Sequence, residues 1–527
     1  MIQLDIDKSK FDDIDYVQGL VNGIMIQKLI EGVGIKYDKC FDYYEGKEPI
    51  TTFDQNYNYQ CKIVNITKPI VDIATKTFIG EIPDITTSGK KEEKDKISVF
   101  NQKLYNKQFE NYIYETCHYS SKCGTGFLAI YNKKGDTFPS FRELNPRFAD
   151  CVYDCSLAKE HLMSYYIVQI NESTSPYNIA LSKYVIYVYT KKKVFAFESP
   201  TTYTAQTTKP DATKDIIVKP YFAWEQDSSG EPLSFIEHGY SDIPIIEFPN
   251  NAEYIGDAEC VFDLIALYNE VINNRCKNLY DVVNYILFIK NIKLGNEDET
   301  QKVIDLLKKH HILPGEGQDV DAKFLSNPLN QEQLQVLADN IMDLIHYISR
   351  VPDLSGIDFS QNASDPIIKI KTKPLLDLCN DKEKKCTEPY RRVLKIVLDW
   401  CKYNSPDYLD FNFDLEKTRL VYTHTLPSND SDMITAITNL ANSRMANPEV
   451  LLQNLTFIPS VHDYIKGMDK WNEKVDKAKA NRNNENIKAN ENNIEKQNLT
   501  PVSKGQMDNK KNFDMGNAEK ISDNKVE

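Results

Sequence analysis

The sequence predicts an α+β fold, and three observations carry it. Tyr- and Val-rich segments separated by turns recur through the first half of the chain. Two long amphipathic helices follow, from Ala258 to Val283 and from Gln331 to Arg350. Between them lies a short strand–helix–strand segment. Strands and helices that segregate in this way imply α+β layering rather than alternating β-α units.

The elements can be justified in order. Gly19 to Ile30 reads as a short helix, and Ile63 to Phe78 as a better one, with Ile66, Ile70, Ile73, Ala74 and Thr77 on one side and Pro69 inside it. Ser88 to Lys96 is charged and reads as a loop, and Ile97 to Tyr119 has helical period through Phe100, Leu104, Phe109 and Ile113. Strands are expected at Gly126–Tyr131, Phe148–Tyr153, Ser164–Ile170, Tyr184–Thr190 and Lys193–Phe197, where Tyr and Val suit a half-buried sheet. Ile243 to Phe248 is a further strand, closed by Pro249-Asn250-Asn251.

The helix from Ala258 to Val283 repeats apolar residues at Val261, Leu264, Ile265, Tyr268, Ile272, Leu279 and Val283. Its opposite side carries Asp263, Glu270, Asn274, Lys277 and Asp281. At 1.5 Å per residue it spans roughly 39 Å, with one face for protein and one for water. The insert is then a strand at Tyr285–Ile292, a helix at Glu297–Lys309 and a strand at Ala322–Leu325. The second long helix, capped by Asn330 with Gln333, carries Leu334, Leu337, Ile341, Leu344, Ile345 and Ile348 on its apolar side. Asp339, Asp343 and His346 lie on its polar side, and antiparallel packing would hold the insert at the far end of the pair.

Val351-Pro352 ends that helix, because a residue before proline avoids the α region. A loop of small and acidic residues runs from Val351 to Asp365. Asp365-Pro366 supplies an N-cap and first-turn proline for a third helix, running to about Tyr403 and expected to kink or break at Pro374 and Pro389. Leu409 to Thr425 reads as a strand, and Asp430–Asn442 and Pro448–Asn454 as short helices. From about Lys466 the Asn-, Lys- and Glu-rich composition is that of a disordered tail.

Composition narrows the function. The chain has 527 residues, 41% of them hydrophobic, and a net charge of −14. That balance argues against a protein that coats nucleic acid, although an acidic wall lets DNA pass without gripping it. Eleven cysteines without a CxxC pair read as free thiols, not as a zinc site or disulfide framework. The N-terminus lacks an apolar signal region, and no run of about 18 apolar residues suggests a membrane span.

Motifs for catalysis are missing: no GxxxxGK[ST], no HExxH and no GxSxG occurs. Gly124-Thr125-Gly126 reads as a tight turn into a strand, and His310-His311 as a helix end. Asp319, Asp321 and Glu297-Asp298-Glu299 read as solvated acids. Lys191 to Lys193 suits a hairpin turn, and Lys308-Lys309 and Lys369/Lys371/Lys373 read as solubilising charge or as phosphate or partner contacts. No enzyme activity and no cofactor are implied.

Several segments, in order, carry a resemblance. They are FDYYEGKEPI with Tyr43, Tyr44 and Gly46; Lys62 to Pro83; GYSDIPIIEFPNNAEYIGDAE from Gly239 to Glu259; and VPDLSGIDF from Val351 to Phe359. Together, over about Phe41 to Pro427, the chain resembles the portal proteins of tailed bacteriophages, in the group found in many siphophages of Gram-positive hosts. Where that family often has Ser-Gly-small before the third helix, this chain has Ser364-Asp365-Pro366.

The resemblance implies a twelve-fold ring with a wing (1–250), a stem of two helices (251–283 and 331–350) and a clip (284–330). A tunnel loop (351–365), a wing spine helix and return strand (366–426), a mainly helical crown (427–480) and a tail (481–527) would complete it. It implies a channel for double-stranded DNA lined by Asp263, Glu270, Asn274, Lys277, Asp281, Asp339, Asp343 and His346. Asp353, Ser355, Gly356, Asp358, Ser360, Gln361 and Asn362 would form the tunnel loop. Glu297, Lys308, Lys309, Asp319 and Asp321 would meet partners at the clip. The implied partners are the terminase large subunit, the major capsid and scaffolding proteins and a head-completion adaptor, with no membrane. The place would be the portal vertex of the virion, after assembly in the host cytoplasm. Two alternatives stay open: another virion protein such as a minor head protein, or a metal-dependent phage DNA-processing enzyme. The latter would need clustered acids where this chain has scattered ones.

Overall fold

The computed structural model describes residues 2–4, 10–31, 33–47, 63–87, 91–133, 135–171, 182–199, 218–222, 224–226, 232–283, 286–290, 296, 301–302, 321–325, 331–354 and 365–424. The chain divides into two units, Met1–Ser428 and Asn429–Glu527, and every described residue lies in the first. The expected crown helices, tail and most of the insert fall outside the described residues.

The helices are α1 (Ile14–Glu31), α2 (Val33–Glu45), α3 (Thr67–Ile79), α4 (Lys91–Asn106), α5 (Phe109–Cys123), α6 (Phe262–Val283), α7 (Gln331–Ser349) and α8 (Asp365–Asn404). The strands are β1 (Ile2–Leu4), β2 (Asp84–Thr87), β3 (Thr125–Tyr131), β4 (Ser140–Leu144), β5 (Ala149–Asp154), β6 (His161–Asn171), β7 (Ser182–Tyr189) and β8 (Lys193–Ser199). They continue with β9 (Lys219–Pro220), β10 (Trp224–Gln226), β11 (Pro232–Leu233), β12 (Phe235–Glu237), β13 (Ile245–Pro249), β14 (Ile286–Lys290), β15 (Asp321–Leu325) and β16 (Thr418–Val421). The mixture of helix and strand is the α+β composition expected.

The largest sheet has the order β1-β5-β6-β7-β8-β12, with β9 also on β8. All its pairs are antiparallel except β1 with β5. Strand alternation gives it two apolar faces. Val152, Met163, Tyr165, Ile186, Val188, Phe195 and Phe197 pack under Val17, Val21 and Ile24 of α1. On the reverse face Ala149 and Cys151 meet Phe127 and Ile245 of a second sheet, β13-β3-β4. That second sheet leans on the helical core, where Phe100, Phe109, Phe141, Phe248, Tyr390 and Phe411 are all fully or nearly fully buried.

Four expectations need correction. The helix expected from Ile97 to Tyr119 is two helices, because Gln108 adopts a left-handed φ of 56° between α4 and α5. Most of the expected charged loop belongs to α4, where Glu92 and Glu93 favour the first turn. The third helix does not break: α8 runs 40 residues through Pro374 and Pro389. A proline inside a helix costs about 3 kcal/mol. Against this, each large apolar side chain buried contributes roughly 1.5–3 kcal/mol, and Leu375, Tyr390, Val393, Leu394, Val397 and Trp400 all lie in the core. The carbonyls that lose their partners belong to Ile370 and Lys385, both exposed residues that water can reach. Finally, Leu409 to Thr425 is not one strand. Tyr408–Asp410 and Leu415–Lys417 are 3-10 turns, and only β16 pairs, with β2.

The helix expected from Ile63 starts only at Thr67, while the turn expected at Gly124 is found. Pro69 sits in the first turn of α3, where its missing N–H has no intrahelical acceptor to lose. Gly124 caps α5 at φ 88°, and Thr125 begins β3 at once.

Candidate helix-pair and junction site

The segment from Phe248 to Glu259 folds as a tightly tied turn. The Asn250 side chain donates to the Ile255 carbonyl and to Asp257 Oδ1, both at 2.9 Å. Asn251 donates to the same carbonyl at 2.7 Å, and its Oδ1 accepts the Ile255 N–H at 2.9 Å. Tyr254 takes a left-handed φ of 57° between them, and Lys36 donates to its carbonyl at 2.7 Å. The Asp257 N–H reaches the Ser121 carbonyl at 2.8 Å. Two glycines permit this approach: a Cβ on Gly124 would run into the Tyr254 carbonyl, and one on Gly256 would lie 2.5 Å from the Lys122 carbonyl. The Asn-Asn turn is therefore a mooring that starts α6 in a fixed direction.

Helix α8 clamps this mooring from outside. Lys382 donates to Asp257 Oδ2, and to Ser121 Oγ at 2.6 Å. The two charged side chains are 4% and 1% exposed. Three turns on, Arg392 donates twice to Asp242 Oδ2, at 2.6 and 2.9 Å, and once to His161 Nδ1 at 2.7 Å. An arginine can only donate. The His161 proton therefore sits on Nε2, which donates to Ser164 Oγ at 2.6 Å. Burial and the Arg392 charge hold His161 well below the usual histidine range, so it stays neutral. Sequence reasoning missed both clamps, whose partners Asp257 and Asp242 lie more than a hundred residues from Lys382 and Arg392 along the chain.

Beside the Arg392 clamp lies a cavity of about 530 Å³ walled by Tyr153, His161, Asp242, Glu247, Tyr254 and Arg392. Glu247 is 5% exposed and accepts from Thr125 Oγ1 at 3.1 Å. Burial first, and then Asp150, push its carboxyl up to about 7.

The segment at Tyr43-Tyr44 has equally concrete roles. The Tyr43 ring stacks on Phe262 at 4.1 Å, at the start of α6. Tyr44 donates to Asp72 Oδ1 at 2.8 Å, and Gly46 turns the chain at φ 69°.

Helices α6 and α7 run antiparallel. Cys260 feels the charge of Arg350 at one end, and Arg275 binds Gln335 further along. Ile265 and Val271 share a core cluster with Ala338, Ile341 and Ile345. After α6 comes β14, which pairs with β15 just before α7.

The residues expected to line a channel are placed as follows. Asp263, Glu270 and Asn274 are exposed on α6, and Asp339 and Asp343 on α7. Asp339 accepts the Gln335 amide at 2.7 Å. Lys277 and Asp281 continue the α6 spacing, with side chains outside the described set. His346 differs: it is half-buried and donates from Nδ1 to the Val351 carbonyl at 2.8 Å, closing the end of α7. Arg350, at φ 60°, turns the chain there, and Val351 is fully buried.

The expected single apolar stripe of α7 is split. Ile341 and Ile345 are buried, whereas Val336, Leu337, Leu344, Tyr347 and Ile348 are exposed by 43–81%. Of the loop residues Asp353 is exposed, and Ser355, Gly356, Asp358, Ser360, Gln361 and Asn362 lie outside the described residues. So do Glu297, Lys308, Lys309 and Asp319, while Asp321 opens β15 opposite Lys290. Among the described residues no helix is long and apolar enough to cross a membrane, and no cluster of three His, Cys, Asp or Glu could hold a metal.

These features define a scaffold class: an α+β body that fixes a helix pair, exposed along one acidic and one apolar edge. Residues 35–488 match the family described as phage portal protein, SPP1 Gp6-like, and the chain belongs to that family. It is also similar to the portal protein of Bacillus phage SPP1, with 23% identity over 222 residues. That alignment covers 42% of this chain and 42% of the length of that relative.

Proposed function

We propose that the chain closes into a twelve-subunit ring at the capsid vertex and conducts double-stranded DNA during packaging and ejection. The observation that carries this reading, beside the family, is the antiparallel pair α6/α7 with two unlike exposed edges. The polar edge, with the acids Asp263, Glu270, Asp339 and Asp343 beside Asn274, would face the channel. Carboxylates repel phosphate, so DNA slides instead of being held. The apolar edge, Val336, Leu337, Leu344, Tyr347 and Ile348, would be covered by the next subunit. An exposed apolar stripe beside charges marks an interaction surface. His346 drops out of the channel set, because its ring already serves the α7 terminus.

The β14–β15 end would dock the terminase motor and later a head-completion adaptor. Capsid and scaffolding proteins would meet the ring as it nucleates the procapsid in the host cytoplasm. The chain would act as a structural conduit and not as an enzyme. Electron microscopy of the purified protein is the test. Rings with a central hole, at about twelve times the 60.7 kDa chain mass in light scattering, are the expected result. Monomers at every concentration would overturn the reading.

A further inference from the structure

The ten described cysteines are free thiols, and four of them are in two contacting pairs. Cys117 of α5 lies beside Cys386 of α8, and Cys123 of α5 beside Cys40 of α2. All four are at most 3% exposed and belong to one core cluster. Cys117 and Cys386 also border a common void of about 10 Å³, with Phe78, Ser121 and Lys382 nearby. Six residues separate the two α5 cysteines, which is about 240° of helix rotation. One thiol therefore faces α8 and the other α2. The other six described cysteines show no such pairing: Cys151 accepts from Ser164 Oγ, Cys379 and Cys401 are buried singly, and Cys155, Cys260 and Cys276 are exposed.

We infer that Cys40/Cys123 and Cys117/Cys386 are two oxidation sites that close to disulfides in contact with a low-molecular-weight disulfide, riveting α5 to α2 and to α8. In each closure one cysteine thiolate attacks the small disulfide and expels one small thiol. The partner cysteine then attacks the mixed disulfide and expels the second. Two cysteine thiols are oxidised, one small disulfide is reduced to two thiols, and the protons pass to those thiols. The sulfurs must close to about 2.05 Å, a movement that contacting side chains in neighbouring helices can make by rotation about χ1. The neighbouring Cys386 and then burial push the Cys117 thiol up, and burial and then Cys40 push up that of Cys123, which makes closure slow at neutral pH and faster in mild alkali. On the virion reading above, the links would form once the particle leaves the reducing cell. The chemistry itself does not require a ring.

The test uses the full-length protein with hydroxyethyl disulfide, followed by non-reducing peptide mapping. Expected are two cross-linked peptides, 40–123 and 117–386, that dithiothreitol abolishes. The exposed Cys155, Cys260 and Cys276 should carry hydroxyethyl adducts and serve as the internal control. A Cys40→Ala variant should lose the first link and keep the second. Persistent adducts or free thiols on the four buried cysteines, beside a fully modified control set, would overturn the inference, as would scrambled pairings. Because monomers and rings give the same peptides, failure here is distinct from failure to assemble.

Discussion

Removing one member of the Lys382–Asp257 pair is the sharpest perturbation that the fold offers. In Lys382→Met, Asp257 stays buried with only the Asn250 amide opposite Oδ1, and Ser121 Oγ loses its donor. An uncompensated buried charge costs about 3–5 kcal/mol. With an unfolding entropy of about 2.1 cal/mol/K per residue, the unit Met1–Ser428 should melt roughly 3–6 °C lower. The double variant Lys382→Met/Asp257→Leu removes both charges and should recover most of that loss, since a well-packed apolar pair is often neutral or stabilising. Calorimetry on the three proteins measures this. The local signature is hydrogen exchange, which should rise first in 250–262, where the turn starts α6. A single variant that melts within 1 °C of the parent, or a double variant that is additive, would refute the idea that the pair moors α6.

Four further outcomes are expected. Glu247 has a folded value near 7 against an ordinary 4.5, so the folded state holds a proton that the unfolded state releases. Stability should therefore fall as pH rises from about 4.5 to 7, by about 3 kcal/mol, and level off above. Glu247→Gln should remove that slope, as seen in melting curves across this window; an unchanged slope would contradict the assignment. Gly124→Ala combines a left-handed φ with a clash at the Tyr254 carbonyl and should cost more than about 1 kcal/mol, read as lower soluble yield and melting temperature. Tyr347→Asp and Leu344→Asp alter exposed residues, so circular dichroism should stay unchanged while light scattering shows loss of the ring. Asp263→Lys should assemble normally and package DNA more slowly; normal packaging would place that edge away from the channel.

Much of the architecture is local and was readable. The 3.6-residue repeat placed α6 and α7, and the Tyr/Val segments placed β5 to β8 within a few residues, because burial of one face imposes that period. Turn chemistry located Gly124 and the Asn250-Asn251 bend. Reading failed where tertiary packing outweighed local preference. Pro374 and Pro389 should break a helix, yet the buried stripe of α8 holds it continuous. Gln108 broke a helix that periodicity joined. Ser140–Leu144 was assigned no element from sequence and becomes a strand by pairing with β3.

The site divides in the same way. That α6 and α7 are amphipathic, acidic on one side and linked by a short insert was determined by the sequence alone. Which apolar positions of α7 meet α6, and which are left exposed, was decided only by the helix crossing. Asp257 and Lys382, Asp242 and Arg392, and Cys117 and Cys386 are each more than a hundred residues apart along the chain. Periodicity reports whether a side chain is inside or outside; it carries no information about which distant partner it will find there. Pairing of buried charges and thiols depends on how elements are stacked, and that is settled by the whole core at once.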